Sequence, residues 1–275
     1  MIGYHVLDSK PKTALGEKFA LEDYELLCLI ISALSYKKNN GKIGLVADKT
    51  AIDFLSSVCS IYDEVLMLPD MSGIDNIAFW AAAKIFALKE IKTPLAIIDT
   101  DFIVWDKLNI LSDVTVAHKE PINTDVYPDF DSFNLDSSYS FNKNWDKNIL
   151  PCNTAFMAFN NEDFKNYYAD SAIEFMRASK NPDSTLTYMV FAEQRIISLC
   201  ANEKNININT LMDYDKLGSP DYRFTHLWGY KQILKTDLQK RNEFCVRCAK
   251  RIENDFPEVI NTLLDCDTIN KFFRR

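Results

Sequence analysis

Short, unbroken apolar segments alternate with longer helix-like segments through residues 2–98 of the chain. The apolar runs predict strands at residues 2–7, 42–47, 64–68 and 95–98, and the segments between them predict helices at 21–37, 50–58 and 76–90. Strands that lack an in-out alternation and are separated by helices are typical of a mainly parallel sheet covered on both faces. The pattern therefore predicts an α/β domain.

The chain changes character after residue 120. Residues 121–150 are rich in Asp, Asn, Ser, Tyr and Phe and carry no periodic apolar pattern, which predicts a long irregular segment. Beyond it we predict strands at 154–160 and 206–211, helices at 162–180 and 187–202, a loop at 226–231 and C-terminal helices at 230–255 and 258–264. In sheets of this class, ligands gather at the carboxyl ends of the strands, where loops and helix N-termini converge.

Charge and composition restrict the partners of the chain. The formal net charge is -8 and the pI is about 5.0, so no general electrostatic attraction to nucleic acid or anionic lipid is expected. The longest apolar run, residues 26–34, is about half of what a membrane-spanning helix needs, so no transmembrane segment is predicted. Seven cysteines without a framework spacing fit a reducing compartment. We expect a cytoplasmic protein, with the inner face of the membrane as the alternative.

Two carboxylates follow the predicted strand at residues 95–98. Asp99 and Asp101 are one residue apart on a stiff support, and like charges held so closely need a counter-charge. Mg²⁺ or Mn²⁺ would supply it, because these ions prefer oxygen ligands and often complete their shell with substrate phosphates. Asp-x-Asp alone is common in surface turns, but its place at a strand end favours a metal and a nucleoside diphosphate.

A second candidate segment lies far downstream, at His226-Leu227-Trp228-Gly229-Tyr230-Lys231. The His226 imidazole can act as a third metal ligand, and Gly229 allows the backbone to approach a phosphate closely. Lys231 offers a point charge to the same phosphate, and Trp228 offers a flat surface for stacking. The alternative interpretation is a core histidine beside a surface lysine.

Together, these segments resemble a known family. Their types and order are similar to those of the retaining GT-A glycosyltransferases related to glycogenin and to bacterial lipopolysaccharide galactosyl- and glucosyltransferases, over roughly residues 2 to 231. The segments are Asp99-Thr100-Asp101, Asn153-Thr154-Ala155, Glu193-Gln194 and the His-x-x-Gly loop with Lys231. The chain departs from the family pattern at Ala155, where glycine is usual, at Glu193, where aspartate is usual, and in the shorter spacing between Gly229 and Lys231.

The resemblance implies a role for each of these residues. The metal ligands would be Asp99, Asp101 and His226, and the diphosphate contacts would be Lys231 and Lys84. Asn153 and Thr154 would belong to the sugar or acceptor pocket, with Trp228 and Gly229 beside the donor. Glu193 and Gln194 would lie beneath the donor sugar. The aromatic residues of the irregular segment would form a flap over the acceptor or belong to a mobile loop; they are Tyr127, Phe130, Phe133 and Tyr139.

The resemblance also implies one GT-A domain over residues 1–275. Residues 1–120 would form the nucleotide-sugar half, 121–232 the acceptor side and 233–275 a helical end. The expected reaction is metal-dependent transfer of a hexose from a nucleotide sugar, with UDP as the expected nucleotide, to a glycan, a lipid-linked sugar or a protein, with retention of configuration. Two alternatives remain: a sugar nucleotidyltransferase, although residues 8–13 lack a glycine-rich phosphate loop, and a non-catalytic nucleotide-sugar-binding protein.

Overall fold

The computed structural model describes residues 1–217, 219 and 223–273. The strands in this part of the chain are β1 (Ile2–Leu7), β2 (Ile43–Ala47), β3 (Glu64–Met67), β4 (Leu95–Ile98), β5 (Phe102–Val104), β6 (Val114–Lys119), β7 (Cys152–Phe159), β8 (Ile208–Thr210) and β9 (Phe224–His226). The helices are α1 (Lys10–Ala14), α2 (Asp23–Asn40), α3 (Lys49–Phe54), α4 (Ala82–Glu90), α5 (Glu162–Ala178), α6 (Thr185–Val190), α7 (Ile196–Glu203), α8 (Tyr230–Thr236), α9 (Leu238–Asp255) and α10 (Ile260–Leu264).

Within these residues, seven strands form one sheet in the order β3-β2-β1-β4-β7-β6-β8. The first four strands in this order are mutually parallel, and β6 is parallel to β8. Only β7 runs against its neighbours β4 and β6. The predicted class, a mixed, mainly parallel sheet flanked by helices and followed by C-terminal helices, is confirmed.

Both faces of the sheet are buried along β2 and β4, which explains why these strands are continuously apolar, whereas Val65 and Met67 of the edge strand β3 are exposed. On β4, Leu95 and Ile97 pack in one core together with α4 and α5. Ala96 and Ile98 point to the opposite core, which includes α2 and α9. Successive side chains of a strand alternate between faces, so every residue of β4 meets an apolar layer.

A separate two-stranded sheet extends from the end of β4. β5 pairs antiparallel with β9, and the pairing places Phe102 opposite His226. The pairing therefore joins the segment after β4 to the distant His226 segment.

Two helices in the first half begin or end at different residues from those predicted. The helix predicted at 50–58 is α3, which ends at Phe54, and its N-cap is Asp48, whose carboxylate accepts from the Ala51 N–H at 2.8 Å. The helix predicted from residue 76 begins only at Ala82. The Asp75 carboxylate caps a single turn by accepting from the N–H groups of Ile77 and Ala78, and the turn does not continue into α4 because the Ala81 N–H contacts the Met189 sulfur at 3.2 Å.

In the second half, the apolar pattern predicted neither the strand β6 nor the break that divides the C-terminal helix into α8 and α9. β6 was missed although Val114, Thr115 and Val116 are β-branched, the residue type that favours strands. The predicted helix 230–255 is divided into α8 and α9 because the Asp237 side chain caps α9 by accepting from the Lys240 N–H at 3.0 Å. The loop predicted at 226–231 is only partly a loop, since His226 ends β9 and Tyr230 begins α8.

Phe133 of the irregular segment lies in the core and Phe130 and Tyr139 are partly buried against it, so the flap hypothesis is wrong for these three residues. The Phe133 ring lies 4.4 Å from that of Phe191, and Phe130 and Tyr139 pack against the same cluster. Burial of large aromatic rings stabilises the segment against the body of the protein.

In the described part of the chain, no helix combines the length and the apolar character that crossing a membrane requires.

Candidate metal centre

A tight turn at the end of β4 holds the two predicted carboxylates together. The Asp99 N–H donates to the Ala155 carbonyl at 2.7 Å, and the Phe102 N–H donates to the Asp99 carbonyl at 2.9 Å. The Asp101 carbonyl accepts from the Leu227 N–H at 3.2 Å, which ties the turn to the end of β9. These bonds fix the direction of both side chains before any ligand is bound.

Asp99, Asp101 and His226 meet in one cluster. Each offers one ligand atom, and these atoms all lie within 4.8 Å of one another. Ligands on opposite sides of a Mg²⁺ ion are about 4 Å apart, because each metal–oxygen bond is about 2.0–2.1 Å. A slight contraction of the cluster would therefore bring all three atoms to one ion. The structure brings the three predicted ligands together.

The protonation state of His226 suits a metal ligand. Burial lowers the pKa of this imidazole, although Asp101 and Asp99 oppose the change. A neutral imidazole keeps a lone pair for a cation. Its Nε2 lies 3.7 Å from Asp101 Oδ2. Two carboxylates and a neutral imidazole form a donor set that Mn²⁺ and Mg²⁺ accept.

Two lysines approach the same carboxylates. Lys231 Nζ lies 2.8 Å from Asp101 Oδ2, and its side chain is 39% exposed. Lys84 Nζ lies 2.6 Å from Asp99 Oδ1 and also contacts Glu193 Oε1. Both lysines predicted to contact the diphosphate are therefore at the cluster.

Lys84 lies between two buried acids and balances their charge. Burial alone would lower the pKa of Lys84, but Asp99 and Glu193 raise it well above its usual range. Burial opposes ionisation of Asp99, yet the Lys84 ammonium outweighs it and holds the pKa of that carboxyl below its usual value. Burial also raises the pKa of Glu193, with Lys84 acting in the opposite direction.

Glu193 and Gln194 lie in a π-helical turn, Phe191–Arg195, which connects α6 to α7. The Glu193 side chain is 3% exposed and points to Lys84. The Gln194 side chain lies at the wall of an open cleft of about 420 Å³. Glu193 and Gln194, although adjacent in the chain, therefore have different surroundings.

Asn153 and Thr154, predicted to share the sugar or acceptor pocket, also have different surroundings. Thr154 is fully buried, and its hydroxyl lies beside Glu193. Asn153 lies at the wall of the cleft, where its Nδ2 donates to Glu120 Oε1 at 2.8 Å and its Oδ1 accepts from the Ala155 N–H at 3.1 Å. Both residues belong to β7, whose alternating side chains face opposite sides of the sheet.

Trp228 offers an exposed aromatic ring at the site. Its side chain is 55% exposed, its φ is 30°, and its ring lies nearly parallel to that of His226, at 6.2 Å between centroids. It lines the cleft of about 420 Å³ on one side and a second cleft of about 360 Å³, which His226 also lines, on the other. Next to it, a Cβ at Gly229 would meet no atom within 4 Å, so the backbone there is open to a ligand.

Sequence reasoning missed His118, Glu120 and Tyr214 at the site, whereas Tyr127 was already a candidate residue over the acceptor. His118 is buried at the end of β6, its ring lies 6.5 Å from that of Trp228, and burial lowers its pKa. Glu120, Tyr127 and Tyr214 line the cleft of about 420 Å³. The β-branched run of β6 was the signal that could have revealed His118 and Glu120, since both would then follow a strand toward the ligand edge of the sheet.

Comparisons with known proteins relate the chain to solved structures and to a protein family. The structure is similar to that of the galactosyltransferase LgtC, solved in complex with donor and acceptor sugar analogues, with a TM-score of 0.38 and 8% identity, covering 76% of this chain and 73% of that chain. No curated protein matches the sequence. Residues 9–266 match the family described as a family of unknown function, DUF6734, and the chain belongs to that family.

Proposed function

We propose that this protein is a metal-dependent glycosyltransferase of GT-A architecture, which transfers a hexose from a nucleotide sugar to a hydroxyl acceptor. The observation that carries the proposal is the meeting of Asp99, Asp101 and His226 in one cluster at the end of β4. Ligands of open α/β sheets bind at this edge. The order of the sequence motifs, which resembles that of the retaining GT-A enzymes, supports the same function.

The charges around the cluster suit a diphosphate. A bound Mn²⁺ or Mg²⁺ would neutralise the negative charge that develops on the leaving nucleoside diphosphate. The Lys231 side chain is half-exposed and flexible, so its ammonium can leave the Asp101 carboxylate and bind a phosphate oxygen instead. Lys84 is held between two acids and keeps its charge beside Asp99. Fixed positive charges at this place stabilise a transition state with growing negative charge.

The surroundings of Glu193 and Gln194 divide their roles. Glu193 is buried against Lys84, so we assign it the positioning of that ammonium. Gln194 lies at the cleft wall, so we assign it the contact with the donor sugar. A polar oxygen beneath the ring would stabilise the positive charge that develops on the sugar as the bond to the diphosphate breaks.

The cleft of about 420 Å³ is our candidate for the acceptor side. Its volume lies within the range of roughly 300–1,000 Å³ found for ligand pockets. Trp228 provides a flat apolar surface on which a sugar ring can stack, and the cleft wall carries amides and a carboxylate for hydroxyl groups. We therefore expect a glycan, a lipid-linked sugar or another hydroxyl-bearing acceptor, with UDP as the donor nucleotide.

A panel of nucleotide sugars should test this function without knowledge of the acceptor. In the presence of Mn²⁺, we expect one UDP-hexose to raise the melting temperature, because a ligand at 100 times its Kd stabilises the folded state by about 2.7 kcal/mol. The measurement is thermal unfolding with and without EDTA. Equal stabilisation in EDTA would contradict the metal assignment, and stronger stabilisation by a nucleoside triphosphate would favour a nucleotidyltransferase. Mn²⁺-dependent hydrolysis or transfer of the bound sugar separates an enzyme from a binding protein.

Replacing His226 by phenylalanine should weaken metal binding more than it destabilises the metal-free protein. Phenylalanine keeps a ring beside Phe102 and Trp228 but removes the ligand nitrogen. We expect Mn²⁺ affinity to fall by on the order of 100-fold or more, because a ligand itself is lost, with a stability change within about 1 kcal/mol. Calorimetric titration with Mn²⁺ and urea unfolding without metal measure the two effects. A large stability loss with unchanged Mn²⁺ affinity would support a purely structural histidine.

A further inference from the structure

Four polar side chains form a continuous row along the wall of the cleft. Asn153 Nδ2 donates to Glu120 Oε1 at 2.8 Å, and the Tyr127 hydroxyl lies 3.0 Å from Glu120 Oε2. The same hydroxyl lies 2.6 Å from the atom placed as Gln194 Oε1. Tyr127 is 5% exposed, so its hydroxyl depends on these two neighbours. The row connects β7, the residue after β6, the irregular segment and the π-helical turn.

The donors in this row can be assigned from one end. Asn153 Oδ1 accepts from the Ala155 N–H, so its nitrogen must face Glu120. An ionised Glu120 carboxylate only accepts, so the Tyr127 hydroxyl must donate its single proton to Glu120. That proton cannot also serve Gln194. Because the oxygen and nitrogen of a glutamine amide have nearly the same shape, their placement follows from the hydrogen bonds around them.

We propose that Glu120 and Tyr127 position Gln194 with its amide turned by 180° from this placement, so that its nitrogen donates to the Tyr127 oxygen and its carbonyl oxygen faces the cleft. The inference deepens the proposed function and rests on it for its catalytic consequence. Glu120 and Tyr127 act here as positioning residues, because they act on the sugar through Gln194.

The orientation of Gln194 decides what the cleft wall offers to a sugar. A carbonyl oxygen stabilises a developing positive charge and accepts from a sugar hydroxyl, whereas an amide N–H₂ group would do neither. A positioned oxygen also needs no reorganisation during the reaction, because the protein holds it in place beforehand. The row therefore gives Gln194 the polarity that its proposed role requires.

Glu120→Gln is the decisive substitution, because it keeps the shape of the side chain and reverses the direction of the hydrogen bonds from residue 120 to Tyr127 and Gln194. The new amide nitrogen cannot face the Asn153 nitrogen, so it must donate to Tyr127. Tyr127 must then donate to Gln194, which turns the Gln194 nitrogen toward the cleft. We expect kcat to fall by on the order of 10²-fold, while KM for the donor and the melting temperature stay near their wild-type values.

Tyr127→Phe removes the connection, and Tyr139→Phe is the matched control. Both remove one hydroxyl from the irregular segment, but Tyr139 packs in the aromatic core. We expect Tyr127→Phe to lower kcat and Tyr139→Phe to leave it unchanged. Equal kcat in Glu120→Gln, Tyr127→Phe and wild type would overturn the catalytic part of the proposal.

Neutron diffraction reads the orientation directly and does not depend on activity. In the wild type, we expect the Gln194 N–D group on the Tyr127 oxygen and the Tyr127 O–D group on Glu120, and both directions reversed in Glu120→Gln. A wild-type Gln194 with its oxygen on Tyr127 would overturn the positioning. If no nucleotide sugar is turned over, the proposed function fails, while the diffraction result still decides the orientation.

Discussion

Replacing Asp101 by alanine is expected to abolish Mn²⁺-dependent binding of the nucleotide sugar while the protein stays folded. Asp101 is 5% exposed and contributes one of the three clustered ligand atoms. Loss of a residue that only hydrogen-bonds to a metal ligand costs about 10–100-fold in metal affinity. Loss of a ligand itself should therefore cost on the order of 100-fold or more. The folded state tolerates the change because Lys231, its other partner, is half-exposed and can turn to solvent. Calorimetric titration of the donor in Mn²⁺ measures the effect.

Asp106→Ala is the matched control for this variant. Asp106 is exposed, follows β5 closely and lies outside the cluster, so its removal deletes the same charge without deleting a ligand atom. We expect Asp106→Ala to bind the donor with wild-type affinity. Unchanged donor affinity in Asp101→Ala would refute the assignment of the metal site.

The second large effect is expected from Lys84→Met, which should lower the free energy of unfolding by about 3–5 kcal/mol. The Lys84 ammonium lies between Asp99 and Glu193, and the Glu193 side chain is 3% exposed. Methionine fills a similar volume but leaves two carboxylates in a poorly solvated place without their counter-charge. Urea unfolding without metal is the appropriate measurement.

Lys89→Met provides the comparison on the same helix. Lys89 pairs with Asp170 at 2.8 Å, but the side chains are 32% and 55% exposed, and such surface pairs contribute about 0–1 kcal/mol. Adding Glu193→Gln to Lys84→Met should recover part of the loss, because it removes one unpaired carboxylate. A loss in Lys84→Met no larger than that in Lys89→Met would show that the buried acids do not need the lysine.

The sequence predicted those parts of the site that local patterns encode. The strand that becomes β4 is a continuous apolar run, so the placement of Asp99 and Asp101 at its end followed from periodicity alone. His226 was a candidate ligand from its residue type and its neighbours, but its place beside them could not be predicted locally, because β5 and β9 have three residues each and give almost no periodic signal. Their pairing depends on contacts between distant parts of the chain, which local propensity does not contain.

Side-chain competition explains several of the missed boundaries. Ala78 and Ala81 favour a helix, but the Ala81 N–H contacts the Met189 sulfur at 3.2 Å instead of a carbonyl one turn earlier. The row from Asn153 to Gln194 was also beyond the sequence, because Glu120 follows a missed strand and Tyr127 lies in a segment without periodicity. The different directions of Glu193 and Gln194 depend on the π-helical turn, which no residue type in the sequence predicts.

The π-helical turn between α6 and α7 separates the directions of Glu193 and Gln194 from the packing of α7. A π-helical turn holds one residue more than a regular turn, so it takes up that residue without changing the face that the following helix presents. Deleting one residue from Phe191–Arg195 would therefore restore a regular helix and leave Ile196, Leu199 and Cys200, now fully buried, in the core. Glu193 and Gln194 would point in new directions, so we expect such a deletion to impair the site more than the fold.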